Sequence, residues 1–232
     1  MANLSGYTIA FDLDGTLVDT APDIARALNY VLRGAGLPPA GLDEVRALVG
    51  HGSRAAIDRA AAARGLICSE AELDALTDAW MVEYERDIAG ASTVNPGVVA
   101  ALDRLAGAGA NLSVCTNKRT RPSRRLLDAV DLAQYFGAVV GSDAVTNRKP
   151  HPDHFIAAIR AVEGDPARAM MVGDSVSDVG AGKAAGAAVV VYAHGYTDTA
   201  PELLSADAVF GHFSELPDLV VRILVPQPTP RT

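Results

Sequence analysis

Cysteine is nearly missing from this chain: Cys68 and Cys115 are the only two among 232 residues, and they stand far apart. That excludes a disulfide-stapled scaffold and any thiolate cluster with metal-ligand spacing, and it suits a reducing compartment. An excess of positive charge is missing too. Twenty Lys and Arg face 28 Asp and Glu, a formal net charge of −8, so no broad basic surface is expected to displace counterions from a nucleic acid backbone. No run of about 18 apolar residues occurs, and no charged segment precedes the first apolar run, so neither a membrane span nor a signal peptide is expected. Lysine is absent between Asp19 and Thr93. These absences together leave a cytoplasmic protein without nucleic acid or membrane partners, for which monomer and homodimer are equally compatible.

What the chain does hold is apolar and periodic. Hydrophobic residues make up 49% of it, enough for a sizeable core. The runs YTIAFDL, NLSVCTN, GAVVGSD, AMMVGDS and AAVVVYA, with the weaker DAVF, read as strands. Alanine-rich amphipathic stretches over 98–108, 121–130, 152–162 and 179–185 read as helices between them. That alternation implies right-handed crossovers and an α/β fold with a parallel sheet. The alternation lapses between Asp19 and Thr93, where several helical patterns follow one another. Residues 19–93 are therefore expected to form a helical cap, inserted after the first strand, and residues 1–18 and 94–232 an α/β core. Crossings near Asp19-Thr20 and Val94-Pro96 would hinge the two. The proline-rich close, PQPTPRT, is expected to fray.

The stretch FDLDGTLVDT sets Asp12 and Asp14 two residues apart at the end of a buried strand. Alternation puts Ile9, Phe11 and Leu13 on one side and Ala10, Asp12 and Asp14 on the other, before Gly15 releases the chain. Two like charges so close raise at least one pKa unless a cation or a shared proton relieves them. An EF-hand calcium loop does not fit, because the glycine position holds Leu17 and the bidentate glutamate position holds Asp23. Ordinary turn chemistry remains an alternative for D-x-D-G alone.

Three further strand ends carry polar groups. Thr116-Asn117 offers a hydroxyl and amides, Lys149 a cation, and Asp174 with Asp178 a second acid cluster. Each has a bland alternative: a helix cap for the threonine, solvated surface for the lysine, a turn for the acids. Jointly they are harder to dismiss. Four apolar strands end, in order, on an acid pair, a hydroxyl, a lysine and an acid cluster, at the sheet edge where open α/β folds bind ligands.

With DLDGT, Thr116, Lys149 and GDSVSD in these places, the chain resembles the haloacid dehalogenase superfamily of phosphohydrolases over nearly its whole length. The segments CTNK, FGAVVGSD, KPHPD, MMVGDSVSD, KAAGA and HGY are most similar to bacterial phosphoglycolate phosphatases. The resemblance implies a Rossmann-like core with a small helical cap and hydrolysis of a small phosphorylated metabolite with Mg²⁺. It implies that Asp12 attacks phosphorus and Asp14 serves as general acid and base. Asp12, the backbone carbonyl of Asp14 and Asp174 would ligate the metal, with Asp178 orienting a metal-bound water or Lys149. Thr116, Asn117 and Lys149 would hold the phosphoryl oxygens, and Gly15 would let the chain turn beside them. Dehalogenases proper lack the second acid, so Asp14 argues for phosphate chemistry. Phosphonoacetaldehyde hydrolases need a cap lysine, which is absent. A β-phosphoglucomutase or broad sugar phosphatase remains the alternative enzyme. A phospho-receiver domain is disfavoured, because an acid cluster follows Lys149 and a cap interrupts the first crossover.

Substrate choice should fall to the cap. In LVGHGSRAAI, Ser53 reads as an N-cap and Arg54, in the first turn, as a receiver for a small carboxylate, with solvation as the alternative. His51 reads as structural. The basic residues 118–125 read mostly as a solvated helix face, with the resemblance extending to the adjacent Asn117 and leaving Lys118 open, Leu76, Trp80 and Tyr84 as cap packing, and His151 and His154 as surface or supporting residues.

Overall fold

In the computed structural model the described residues are 2–226, except His51 and Asp198. The glycine-loop His51 and the residues 227–232 of the proline-rich close lie outside them. The first strand, β1 (Thr8–Phe11), is four residues with no exposed surface. The chain then turns and forms β2 (Val18–Asp19) and four helices: α1 (Ala21–Gly34), α2 (Leu42–Leu48), α3 (Ser53–Ala62) and α4 (Glu70–Arg86). It returns as β3 (Thr93–Val94), antiparallel to β2 with Val18 opposite Val94 and Asp19 opposite Thr93. This two-stranded ribbon does not show in the sequence, because two residues carry no alternation.

Beyond it, strands and helices alternate: α5 (Val98–Gly107), β4 (Asn111–Cys115), α6 (Thr120–Ala129), β5 (Ala138–Val140), α7 (Pro152–Arg160), β6 (Ala169–Gly173), α8 (Val176–Ala184), β7 (Ala188–Tyr192), β8 (Ala208–Phe210) and α9 (Leu216–Leu224). All six core strands are parallel, in the order β5-β4-β1-β6-β7-β8. The runs expected to be strands are these strands. Ile9, Phe11 and Leu13 pack on one face with residues of α5 and α9, while Ala10 packs on the other with Phe155 and Ile159 of α7. The order of winding reverses beside β1: the chain builds outward through β4 and β5, then crosses to β6. That reversal opens a crevice at the carboxyl ends of the central strands.

Local chemistry sets the cap helices. Pro22 and Asp23 favour the first turn of α1. Ser69 and Glu72 close a capping box on α4, which joins Trp80 and Tyr84 in a parallel stack with centroids 4.9 Å apart. The N-cap of α3 is Gly52, at φ 87°, and Ser53 is already helical with no capping hydrogen bond. The expectation for Ser53 is thus corrected: the backbone needs a left-handed residue there, which glycine supplies without strain. At the crossings, Asp23 Oδ2 accepts from Ala91 N, Ser92 N and Ser92 Oγ, tying α1 to the returning strand. Among the described residues no helix is long and apolar enough to cross a membrane.

Candidate active site

Asp12 follows β1 directly, and its backbone N–H donates to Val172 O of β6 at 2.8 Å, holding it at the crevice. Gly15 then takes φ 89°. A Cβ there would stand 2.6 Å from Asp174 Oδ2 and 2.8 Å from the Tyr196 ring, so both the conformation and the close approach demand glycine. Asp174 directly follows β6, and Asp178 sits in the first turn of α8 as the partner of Ser175 in a capping box. Lys149 lies just before α7.

These elements bring Asp12, Asp174, Asp178 and Lys149 into contact. Oxygen atoms of the three acids lie within 4.8 Å of one another, all buried. The Lys149 ammonium is 2.9 Å from Asp12 Oδ1 and donates to Asp178 Oδ1 at 2.6 Å and to Cys115 O at 2.7 Å. The other Asp178 oxygen accepts from Asp174 N, Ser175 N and Ser175 Oγ. Asp174 accepts from Thr16 Oγ1 at 2.9 Å and Tyr196 N at 2.6 Å.

Burial pushes the Asp12 carboxyl up to about 6; Lys149 opposes the rise and Asp178 adds to it. Asp174 is pushed well above the ordinary carboxylate range by burial and then by Asp178 and Asp12. Burial works against the charge of Lys149, but Asp12 and Asp178 outweigh it and hold the ammonium charged. Three carboxylates against one cation leave excess negative charge out of water, which a divalent cation would relieve. The donor set is oxygen alone, as hard cations prefer. The residues present therefore fit a divalent metal.

The hydroxyl of Thr116 accepts from Lys118 N at 3.2 Å, and Thr116 is buried at the tip of β4. Asn117 donates through Nδ2 to Lys149 O at 3.2 Å and to Gly50 O of the cap at 3.0 Å, spanning the crevice. Asp14 accepts from Thr20 Oγ1 at 2.7 Å and from Lys118 Nζ at 2.9 Å. Above this floor lies a cavity of about 540 Å³ bounded by Asp12, Asp14, Thr116 and Asn117 below and by cap side chains above.

Arg54 also faces the cavity, from the first turn of α3. Its guanidinium is held by Glu70 Oε2 at 2.5 Å and Asp74 Oδ1 at 3.1 Å, two acids of α4. His151 caps α7 through Nδ1. His154 is fully buried behind Lys149, where Nδ1 accepts from Lys149 N at 3.2 Å and Nε2 meets Val140 O at 3.0 Å. Burial first, and Lys149 second, push it down to about 4, so it stays neutral.

Two participants receive no role in the sequence reading, which leaves Lys118 open and quotes Tyr196 only within HGY. Lys118 is not on a solvated helix face: α6 starts at Thr120, and Lys118 lies buried in the preceding loop against Asp14 and 4.4 Å over the Tyr84 ring. The signal was its place directly after Thr116-Asn117, hidden by the basic residues that follow. Of these, Arg121 and Arg125 pair with Glu85 of α4 at 3.2 and 2.8 Å. Tyr196, in HGY, joins the acid cluster to the cap crossing. Its N–H holds Asp174, and its hydroxyl donates to Asp19 and accepts from Ala21 N at 2.9 Å.

Comparison with known proteins bears on this geometry. Residues 8–186 match the family model of the haloacid dehalogenase-like hydrolases. The chain is 46% identical over 230 residues to a phosphoglycolate phosphatase of Caulobacter vibrioides, covering 99% of this chain and 97% of the relative. It is 42% identical over 213 residues to a phosphoglycolate phosphatase of Mesorhizobium japonicum, covering 92% and 94%. Among solved structures, a predicted phosphoglycolate phosphatase from Haemophilus somnus superposes with a TM-score of 0.86 at 29% identity, covering 93% of this chain and 98% of the other.

Proposed function

The chain belongs to the haloacid dehalogenase-like hydrolases and is a phosphoric monoester hydrolase, and from that premise we propose that it hydrolyses 2-phosphoglycolate in the cytoplasm with Mg²⁺. The observation that carries the proposal is the convergence of Asp12, Asp174, Asp178 and Lys149 beneath a small cavity. The relatives' common activity supports the choice of ester.

Asp12, Asp174 and the backbone carbonyl of Asp14 would hold the metal, which when bound neutralises negative charge on the carboxylate and the phosphoryl oxygens. Asp12 supplies the attacking oxygen. A bond forms from its carboxylate to phosphorus as the ester P–O bond breaks, and Asp14 gives a proton to the departing glycolate oxygen. Water then attacks the aspartyl-phosphate. Asp14 takes the proton, the bond between phosphorus and Asp12 breaks, and free phosphate leaves. Thr116 and Asn117 hold the equatorial oxygens, and Lys149 supplies a positive charge already in place before the reaction begins. Asp178 keeps Lys149 there. In this reading residues 1–18 and 94–232 form the core that carries the chemistry, and 19–93 the cap that selects the leaving group and excludes water.

The test is a panel of small phosphate esters assayed with Mg²⁺, including glucose and mannose phosphates. A clear preference for phosphoglycolate supports the assignment. Equal turnover of sugar phosphates would instead favour a broad phosphatase or a mutase. Asp12→Asn is expected to lower kcat on the order of 10⁴-fold or more while the protein stays folded by circular dichroism; substantial residual turnover would overturn Asp12 as nucleophile.

A further inference from the structure

The reading above leaves open which side chain meets the carboxylate of the leaving group. The reacting phosphorus lies over Asp12, and the departing oxygen must lie beside Asp14, because that is the acid that protonates it. The next two carbons therefore emerge into the cavity next to Asp14. The cap wall opposite is largely apolar, with Ile24, Leu28, Val45, Leu48, Leu73 and Met81. A carboxylate against such a wall is costly unless a cation meets it.

Four cationic side chains line the cavity: Arg54, Lys118, Arg119 and Arg148. The guanidinium of Arg54 is occupied by Glu70 and Asp74. Arg119 is 65% exposed and 3.8 Å from Asp143, and Arg148 is exposed to solvent. Lys118 differs from all three. Its side chain is only 8% exposed, and its ammonium stands 2.9 and 3.2 Å from the two oxygens of Asp14, the group nearest the departing oxygen. The Tyr84 ring from the cap, 4.4 Å from Nζ, closes over it.

We infer that Lys118 is the residue that selects a carboxylated leaving group, its ammonium turning from Asp14 to the substrate carboxylate when the ester binds. The assignment rests on the proposed activity toward phosphoglycolate and specifies the class: short phosphate monoesters with a carboxylate on the carbon that bears the bridging oxygen. It gives the cation role to the core loop rather than to Arg54. Asp14 holds Lys118 in position while the cavity is empty; when the ammonium turns to the substrate carboxylate, Asp14 is freed to take from water the proton it gives to the leaving oxygen, and the Tyr84 ring flanks Lys118 throughout.

The experiment compares kcat/KM for phosphoglycolate with kcat/KM for ethyl phosphate, which has the same length and no carboxylate, using the Mg²⁺-loaded full chain. The ratio within one preparation is independent of how much of a variant is folded. Lys118→Met is expected to lower that ratio about 10- to 100-fold, the effect of losing one charge-assisted hydrogen bond. Lys118→Arg, which keeps the charge, should retain more of it, and Arg54→Ala should leave it within about twofold. A ratio unchanged in Lys118→Met, equal losses in the methionine and arginine variants, or a collapse in Arg54→Ala would each overturn the assignment. Were the unaltered protein itself to show no preference for the carboxylated ester, the proposed substrate would fall and this inference with it, an outcome distinct from the other three.

Discussion

On the core side of the cavity, Asp12, Asp14, Lys149, Asp174 and Asp178 are all largely buried, and each contacts a partner of opposite charge or a hydrogen-bond donor. On the cap side the lining is mostly aliphatic and aromatic, and its arginine, Arg54, is bound to acids of its own helices. The contrast separates two tasks. Phosphoryl transfer needs charges fixed in place at low dielectric before the substrate arrives, and these are expensive to bury unless they neutralise one another. Selection of a small leaving group needs shape and dryness, with a single complementary charge. The core supplies the first through a network in which removing one member strands the others, and it also carries the selecting charge on Lys118; the cap supplies the shape and dryness through its apolar wall.

The sharpest way to break that contrast is Lys149→Met. The substitution leaves Asp12 and Asp178 buried without their cation, so stability should fall by about 3–5 kcal/mol. Loss of its charge at the phosphoryl group should lower kcat about 10²- to 10³-fold. Urea unfolding and steady-state kinetics read the two effects. A cap variant with a larger loss of volume, such as Leu48→Ala, should still spare kcat far better; an equal loss in both would mean that the two walls are not different in kind.

The same contrast governs what the sequence makes legible. The six core strands are visible as apolar runs, and Asp12, Thr116 and Asp174 are visible with them, because a strand end is a local event: an apolar run stops, and the next residue bears the chemistry; Lys149, well beyond β5 and just before α7, is not placed by that rule. Lys118 is obscured because its neighbours are basic for another reason, the pairing of Arg121 and Arg125 with Glu85 across the seam. The engagement of Arg54 is invisible because Glu70 and Asp74 reach it only when α4 packs on α3, at 16 and 20 residues' separation. Ser175 and Asp178 form an S-x-x-D start signal, and Asp178 carries a second duty at Lys149 that only the tertiary fold discloses. Side chains with one local duty are legible, and those whose partner arrives from a distant element are not.

A second prediction sharpens the core half. In the metal-free protein the Asp12 carboxyl titrates at about 6 rather than 3.8. Between those values the folded state binds the proton that the unfolded state releases, so the Asp12 contribution to stability is full below about 3.8 and is lost as pH rises through about 6. Metal requires the ionised form. Apparent Mg²⁺ affinity, measured by calorimetry, should therefore fall at least about tenfold per unit as pH drops below about 6, and more steeply where the raised Asp174 carboxyl must also lose its proton to the metal. At a hundred times its dissociation constant the ion should add about 2.7 kcal/mol of stability at pH 7.5. Asp174→Asn should remove most of that gain while making the metal-free protein no less stable, since an amide can still accept from Tyr196 N and meet Thr16 Oγ1 without the like-charge repulsion. A Mg²⁺ affinity that does not vary between pH 5 and 7.5 would contradict this charge arrangement.

The smallest expected effect lies on the seam itself. Glu85 of the cap is met by Arg121 and Arg125 of α6, whose side chains are 77% and 43% exposed. With arginines so open to water, although Glu85 itself is only 17% exposed, the pairs hold the cap to the core weakly and are screened by salt. Glu85→Gln is accordingly expected to change KM less than about fivefold, to leave kcat limited by the same step, and to lose even that difference at 0.5 M salt. The buried contacts that cross the same seam, Asn117 to Gly50 and Lys118 to Tyr84, would then be what sets cap closure. A tenfold or larger rise in KM in Glu85→Gln, persisting at high salt, would show instead that the exposed charges do the closing, and the division of labour between the two walls would have to be redrawn with the α6 arginines as part of the cap's hold on the core.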